Sequence, residues 1–245
     1  VARYLVHQQP GSLSQIKKMA DLMGSWSGLL TNEDDTYLQT PGFWLDSTGR
    51  GTAKATIKDV GIRGCTSCME NAHLPQLVSA AYLLTGDRYY CDELALVASA
   101  VTLLPYPGDP AWYGGRAKAA LGADPQIRGM GRGGMTVEDA AAFLPDGHPL
   151  TPFLTDVILK TVTWLDADCA FNDGGPFHAP SYWLIKNNPG AFHPDWQHTI
   201  PWTDTFVALM VWKARRHGLT TTEGNTYLLR VAEMWQALFN TPGWP

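Results

Sequence analysis

The amino-acid sequence predicts a mainly α-helical protein in which helical hairpins follow one another, as in an α/α solenoid or toroid. Apolar residues recur at helical spacing over most of the chain. A helix, a glycine-containing turn and a second helix form a unit that appears three times, at intervals of about 60 to 70 residues. Ala-rich helices, which can approach their neighbours closely, alternate with helices that carry bulkier aliphatic side chains. This alternation predicts inner and outer helices around an axis.

The composition excludes several classes of protein. The chain has 245 residues, of which 45% are hydrophobic and 17% are charged, and such a chain buries a core rather than staying disordered. A net charge of −5 without a long lysine or arginine run argues against a nucleic-acid partner. No apolar run approaches the ~18 to 20 residues that a membrane span needs. Since no Gly/Ser linker interrupts the sequence, we expect a single domain over residues 1–245.

The first part of the chain predicts one leading helix and one extended segment. Ser12 precedes a helical apolar pattern, and Gln15 stands three residues later, as in a capping box that opens a helix. Alternating apolar residues and threonines predict a small β hairpin or extended excursion over 36–62. The chain begins with Val1 rather than methionine, which favours a processed product or a segment of a longer protein.

Three helical hairpins follow the extended segment. The first begins after Asn71 and turns at 85–87. The second begins at about Arg128 and turns at 145–148. The third turns at 216–219, after a long loop rich in proline, glycine and aromatic residues. Short turns predict that the two helices of each hairpin pack antiparallel.

A likeness to a known family is carried by four segments, 73–77, 82–90, 128–129 and 146–150. They resemble the six-hairpin (α/α) toroid proteins, and above all the toroid domains of large bacterial and phage-borne proteins. The fold relatives of that family include glycoside hydrolases and polysaccharide lyases, so the resemblance implies the fold more strongly than an activity. A closed toroid has six hairpins and this chain has about three. Either the ring is partial or other chains complete it.

The loops that lead into the inner helices form the predicted site, because parallel inner helices bring these loops to one end. We expect a carbohydrate-active or carbohydrate-binding site for a polysaccharide or oligosaccharide of acidic character. Two carboxylates suit glycosidic hydrolysis, a histidine suits a lyase, arginines suit an acidic sugar, and tryptophans stack on sugar rings. The candidate catalytic residues are Glu70, His73 and Asp204, and the candidate substrate-binding residues are Arg128, Arg132, Asp195, Trp196, His198 and Trp202.

Structural roles for the same residues stay open at this point. Asp204 can cap a helix, Glu70 can be a solvated turn residue, and His73 can bond to the preceding loop. The alternative function is a non-catalytic structural module of a larger extracellular or phage-associated assembly, with other chains as partners. An extracellular or virion location is favoured over a cytoplasmic one.

Three other patterns resemble cofactor or metal sites only in part. Cys65 and Cys68 have the spacing of zinc and redox sites, but the sequence has no second pair of this kind. The glycines of 129–134 match a dinucleotide fingerprint without the strand that should precede it. The segment 171–178 mixes oxygen ligands at a spacing that matches no calcium loop. We therefore expect neither a metal nor a cofactor.

Overall fold

The computed structural model describes residues 9–24, 45–46, 55–56, 78–103, 127–171 and 201–240. The elements in this part are α1 (Pro10–Gly24), β1 (Leu45–Asp46), β2 (Ala55–Thr56), α2 (Val78–Thr85), α3 (Arg88–Leu103), α4 (Ile127–Phe143), α5 (Thr151–Phe171), α6 (Pro201–Arg216) and α7 (Asn225–Asn240). The mainly α class predicted from the sequence is confirmed. Of the helices described, none combines the length and the apolar character that a membrane span requires.

The predicted helix pairs are present as α2–α3, α4–α5 and α6–α7. The turn after α6 shows how the sequence ends a helix. Gly218 has a φ of +73°, a conformation that glycine adopts without steric cost because it has no Cβ. The N–H of Leu219 donates to the carbonyl of Ala214 at 2.9 Å, and the N–H of Gly218 donates to that of Arg215 at 3.1 Å. This pair of bonds is a Schellman motif, which reverses the chain toward α7.

The leading helix begins three residues earlier than predicted, since an N-cap at Ser12 would make Leu13 the first helical residue. It starts at Pro10, so Ser12 lies within the first turn and is not the N-cap. Proline suits the first helical position, since its missing N–H would have had no partner within the helix. The N–H of Ser12 donates to the carbonyl of Gln9 at 3.0 Å. The capping-box prediction at Ser12 is therefore wrong.

The two short strands lie in the predicted excursion, but they do not form a hairpin. Leu45 pairs with Ala55 and Asp46 pairs with Thr56, in parallel. Alternation of apolar and polar residues is the same for both strand directions, so the pattern carries no information about direction. The rest of the predicted excursion lies outside the described residues.

Helices α4 and α6 lie side by side and run in the same direction. In their N-terminal halves, Gly131 meets Phe206 so closely that a Cβ at Gly131 would lie 2.6 Å from the Phe206 backbone. Toward their C-terminal ends, Glu138 contacts Lys213. Contacts that follow the same order along both helices require a parallel pair. Since Gly131 lies inside a helix, it serves close helix packing and not a phosphate-binding turn.

Helix α2 also contacts α4. The Ser79 hydroxyl donates to the Asp139 carboxylate at 3.1 Å. The charge of Asp92, near the start of α3, acts on His148 in the turn after α4. The α2–α3 turn and the α4–α5 turn therefore lie at the same end of the molecule. Three neighbouring helices, α2, α4 and α6, thus share one direction, as we expect of inner helices.

Partly buried polar contacts join the remaining helices to one another. The Tyr90 hydroxyl of α3 donates to the Asp21 carboxylate of α1 at 2.9 Å. Burial of the hydroxyl and this bond to a carboxylate raise the pKa of Tyr90 to about 12. The Asp166 carboxylate of α5 accepts bonds from the N–H groups of Gly224 and Tyr227, at 2.6 and 2.9 Å. Asp166 therefore caps the start of α7 from a neighbouring helix.

The contact at Gly131 predicts the effect of a one-carbon change. We expect Gly131→Ala to lower the free energy of unfolding by about 1–3 kcal/mol, because the new Cβ meets backbone atoms of Phe206 that cannot rotate away. Gly11→Ala in α1 is the matched control, since a Cβ there has no neighbour within 4 Å, and it should be neutral or stabilising by less than about 1 kcal/mol. Urea unfolding measures both; equal effects would contradict the close approach of α4 and α6.

Candidate functional site

The densest group of ionisable side chains in the described part of the chain lies between α4 and α6, toward their C-terminal ends. We call it the α4–α6 charge cluster. It consists of Glu138 and Asp139 on α4, Lys213 on α6 and His217 directly after α6, and Ser79 of α2 is hydrogen-bonded to it. The spacing along each helix is local: the two carboxylates are adjacent residues, and lysine and histidine are four residues apart on one face. The parallel packing of the two helices brings these pairs together.

Lys213 lies between the two carboxylates. Its Nζ is 2.9 Å from Oε2 of Glu138 and also forms a short contact with Oδ1 of Asp139. The Glu138 side chain is fully buried, while the Lys213 side chain is 22% exposed. Asp139 accepts a second hydrogen bond from Ser79. The cluster therefore links α2, α4 and α6, the three helices that share one direction.

His217 contacts Glu138 from the opposite side of the carboxylate. Its Nδ1 forms a short contact with Oε1 of Glu138. The imidazole also packs edge to face on Phe143, the last residue of α4, with 5.0 Å between ring centroids. The His217 side chain is 28% exposed. His217 is thus the solvent-facing member of a pair whose other member is buried.

Burial and charge act against each other in this cluster. Burial raises the pKa of Glu138 above its usual range, and the attraction of Lys213 offsets only part of that effect. Although Oε2 of Glu138 lies near Lys213, it has no well-aligned hydrogen bond with any described residue. Burial by itself would lower the pKa of Lys213, but the carboxylates of Asp139 and Glu138 together raise it. Lys213 therefore stays charged at neutral pH.

This arrangement determines which chemistry the cluster can perform. A charged lysine between two carboxylates is not a nucleophile, since nucleophilic lysines need a lowered pKa. Asp139 is already engaged by Ser79 and Lys213. The contact between Glu138 and His217 is a carboxylate–imidazole pair, an arrangement that fixes the orientation of the ring. These contacts therefore favour a role in holding α4 and α6 together.

The predicted site residues are placed only in part by the structure. Glu70, His73, Asp195, Trp196 and His198 lie outside the described residues. Arg128 and Trp202 lie in the first turns of α4 and α6. Arg132 and Asp204 lie in the N-terminal halves of the same helices. These four residues are thus on two adjacent parallel helices, at the end opposite the charge cluster.

Arg132 and Asp204 are the predicted site residues whose side chains the structure describes. The Arg132 guanidinium lies over the Phe206 ring, 4.7 Å from its centroid. The Asp204 residue is fully buried in the first turn of α6. The Tyr227 hydroxyl donates to the backbone carbonyl of Asp204 at 3.4 Å. A negative charge in the first turn of a helix is favoured by the helix dipole, and the burial of Asp204 does not suit a role in an open cleft.

The other patterns considered in the sequence are placed as follows. Cys65 and Cys68 lie outside the described residues, and the segment 171–178 is described only at Phe171. In the described part of the chain, no three His, Cys, Asp or Glu side chains are arranged to hold a metal ion.

Sequence reasoning missed the charge cluster. The signal was an adjacent Glu–Asp pair within the Ala-rich, apolar part of α4, where charged residues are rarely buried unless they are paired. Lys213 and His217, four residues apart, are the complementary signal at the C-terminal end of α6. Only the packing of α4 on α6 shows that these signals belong together.

A scan against protein-family models finds no match for this chain, and comparisons with curated proteins and with solved structures also find none.

The charge cluster predicts a large effect for loss of its lysine. Lys213→Met leaves two carboxylates without their cation, one of them fully buried, and we expect the free energy of unfolding at pH 7 to fall by roughly 3 kcal/mol. Lys160→Met is the control, because Lys160 pairs with Asp156 on the exposed face of α5 and should cost less than about 0.5 kcal/mol. Similar losses for both variants, measured by urea unfolding, would show that the cluster has no special role.

Proposed function

We propose that this chain is a carbohydrate-binding domain of the α/α toroid type, with an acidic polysaccharide or oligosaccharide as its ligand. The observation that carries the proposal is the parallel packing of α4 and α6, which brings the first turns of both helices to one end. Arg128 and Trp202 belong to these first turns, and Arg132 lies one turn further along α4. Because α2 runs in the same direction, the described helices support a toroid in which they are the inner helices.

An acidic ligand fits the charges at this end. Helix N-termini carry unpaired N–H groups and a partial positive charge, which favour anions. The first turn of α4 has no acidic residue. The first turn of α6 contains Asp204, which offsets part of the positive dipole at the start of that helix. Arg128 and Arg132 add two full positive charges on α4. The α4 side of this end is therefore the more favourable place for a carboxylate or sulfate group of a sugar.

Binding is favoured over hydrolysis by the state of Asp204. A glycosidase needs two carboxyl groups that reach the scissile bond from opposite faces of the sugar. Asp204, one of the two candidate acids, is fully buried, so it does not present its carboxylate to a ligand in this conformation. No contact of the described residues supports the alternative of a lyase in which His73 is the base.

A structural module in a larger assembly is the second candidate, and one observation favours it. Helix α6 exposes Leu209 and Trp212 by 42% and 53%. The Arg216 guanidinium lies 5.8 Å from the centroid of the Trp212 ring. Exposed aromatic residues beside arginine are frequent in protein interfaces. An extracellular or phage-associated assembly is the context in which we expect such contacts.

The ligand proposal is tested by replacing the two arginines at the proposed ligand-binding end of α4. Arg128→Gln with Arg132→Gln should weaken binding of a uronic-acid oligosaccharide by about tenfold or more and flatten its dependence on salt, because two charge-assisted contacts are lost. Trp202→Ala should weaken acidic and neutral oligosaccharides alike, since stacking does not depend on charge. Isothermal titration calorimetry at two salt concentrations measures these effects.

The matched control for this test removes two arginines at the opposite end. Arg88→Gln with Arg216→Gln changes the net charge equally, and Arg88 is well exposed, with 91% of its side chain accessible. This control should bind as the wild type does. Equal losses of affinity in both double variants would indicate unspecific charge attraction and would contradict the proposed site. A wild-type protein that does not bind acidic glycans would also contradict it.

A further inference from the structure

The proposed ligand site contains a contact between an arginine and an aromatic ring that joins α4 to α6. The guanidinium carbon of Arg132 lies 4.7 Å from the centroid of the Phe206 ring. A cation within about 6 Å of a ring centroid is attracted by the negative charge of the ring face. Both residues are half-buried, so water screens this attraction less than it would screen a fully exposed pair. The Phe206 ring therefore restricts where the Arg132 charge can lie.

Close packing of the two helices fixes the position of the Phe206 ring. A Cβ at Gly131 would lie 2.6 Å from both the backbone carbonyl carbon and the Cβ of Phe206, so α4 and α6 are in direct contact at this level. Val207, the next residue of α6, is fully buried. Gly131 immediately precedes Arg132 in the sequence. The contact that holds the Phe206 Cβ therefore also brings the Arg132 side chain to the ring.

The direction of these side chains suits the proposed ligand end. Side chains of a helix lean toward its N-terminus, and for Arg132 and Phe206 this is the end at which α4 and α6 begin. Arginine binds a carboxylate through two parallel N–H···O bonds, so the direction of the guanidinium decides whether both bonds can form. A ring that holds the guanidinium in one direction before the ligand arrives lowers the entropy that binding costs.

We propose that Phe206 is the positioning residue of the ligand site and determines its preference for acidic over neutral sugars. The Phe206 ring holds Arg132 in the direction in which its guanidinium meets a carboxylate of the sugar. This inference rests on the proposed function, because it names the residue that orients one of the two arginines of that site.

A second pair of an arginine and an aromatic residue provides the matched control. The Arg216 guanidinium lies 5.8 Å from the centroid of the Trp212 ring, and Trp212 is 53% exposed. This pair is longer and more exposed than the pair of Arg132 and Phe206, and it lies toward the opposite end of α6. Trp212→Leu therefore removes an aromatic ring beside an arginine without reaching the proposed ligand site.

The test compares a uronic-acid oligosaccharide with the neutral oligosaccharide obtained by reducing its carboxyl groups to alcohols. Phe206→Leu should weaken binding of the acidic form by about three- to tenfold, because Arg132 loses its attraction to the ring. Binding of the neutral form should change by less than about twofold, since it does not use this attraction. Phe206→Tyr, which keeps an aromatic face, and Trp212→Leu should bind both forms as the wild type does. Isothermal titration calorimetry measures these affinities.

A fluorinated ring separates positioning from packing. Pentafluorophenylalanine at position 206 keeps the shape of the ring but withdraws the negative charge from its face. It should weaken binding of the acidic form as Phe206→Leu does, and it remains informative if the leucine variant does not fold. A ring that serves only for packing would leave the affinity at the wild-type level, and that result would overturn the inference.

The dependence on Arg132 is tested in a double variant. In the Arg132→Gln background, Phe206→Leu should cause no further loss of acidic-oligosaccharide binding, because no cation remains for the ring to hold. An equal loss in both backgrounds, or an equal loss for the neutral form, would show that Phe206 acts only through the fold.

Failure of the inference is distinguishable from failure of the proposed function. If the wild type prefers the acidic form and the Phe206 variants keep that preference, the role of Phe206 is wrong and the ligand site stands. A wild type that does not bind the acidic form overturns the proposed function, and the inference falls with it.

Discussion

The close approach of α4 to α6 is the constraint on which the rest of the described structure depends. It requires a residue without a side chain at Gly131, because a Cβ there would meet the backbone of Phe206. The same approach brings Glu138 within reach of Lys213 and His217. Helix α4 contacts α2, α3, α5 and α6, so it has little surface left for solvent and most of it is buried. The buried charges thus result from this packing, and they are the part of it that substitutions disturb most.

The two ends of the parallel helices have different chemistry. The end where α4 and α6 begin combines helix N-termini with arginine and tryptophan positions, which suits an anionic ligand. The end where they finish encloses carboxylates, a lysine and a histidine that satisfy one another. A buried network of this kind stabilises one relative position of the helices, since any slip separates charges in a medium of low polarity. A rigid row of helices holds the groups at the opposite end in place.

Much of the described fold was predictable from the sequence because the determinants are local. Apolar spacing identified the helices of all three hairpins, and glycines such as Gly218 marked where they end. The start of α1 was misplaced by three residues, since a serine followed by glutamine competes with proline as a helix-start signal. The strand direction at Leu45 and Ala55 was not predictable, because alternation is the same in parallel and antiparallel pairs.

What the sequence determined by itself is the helical class, the hairpin turns and the Ala-rich and Gly-rich character of α4, all of which arise from neighbouring residues. Only the tertiary structure decided that Glu138 and Asp139 meet Lys213 and His217. It also decided that Asp204, a plausible catalytic acid by residue type, is buried. The physical reason is that burial and ion pairing depend on which helix faces are in contact. That contact is set by the summed packing of distant segments and leaves no pattern within any one of them.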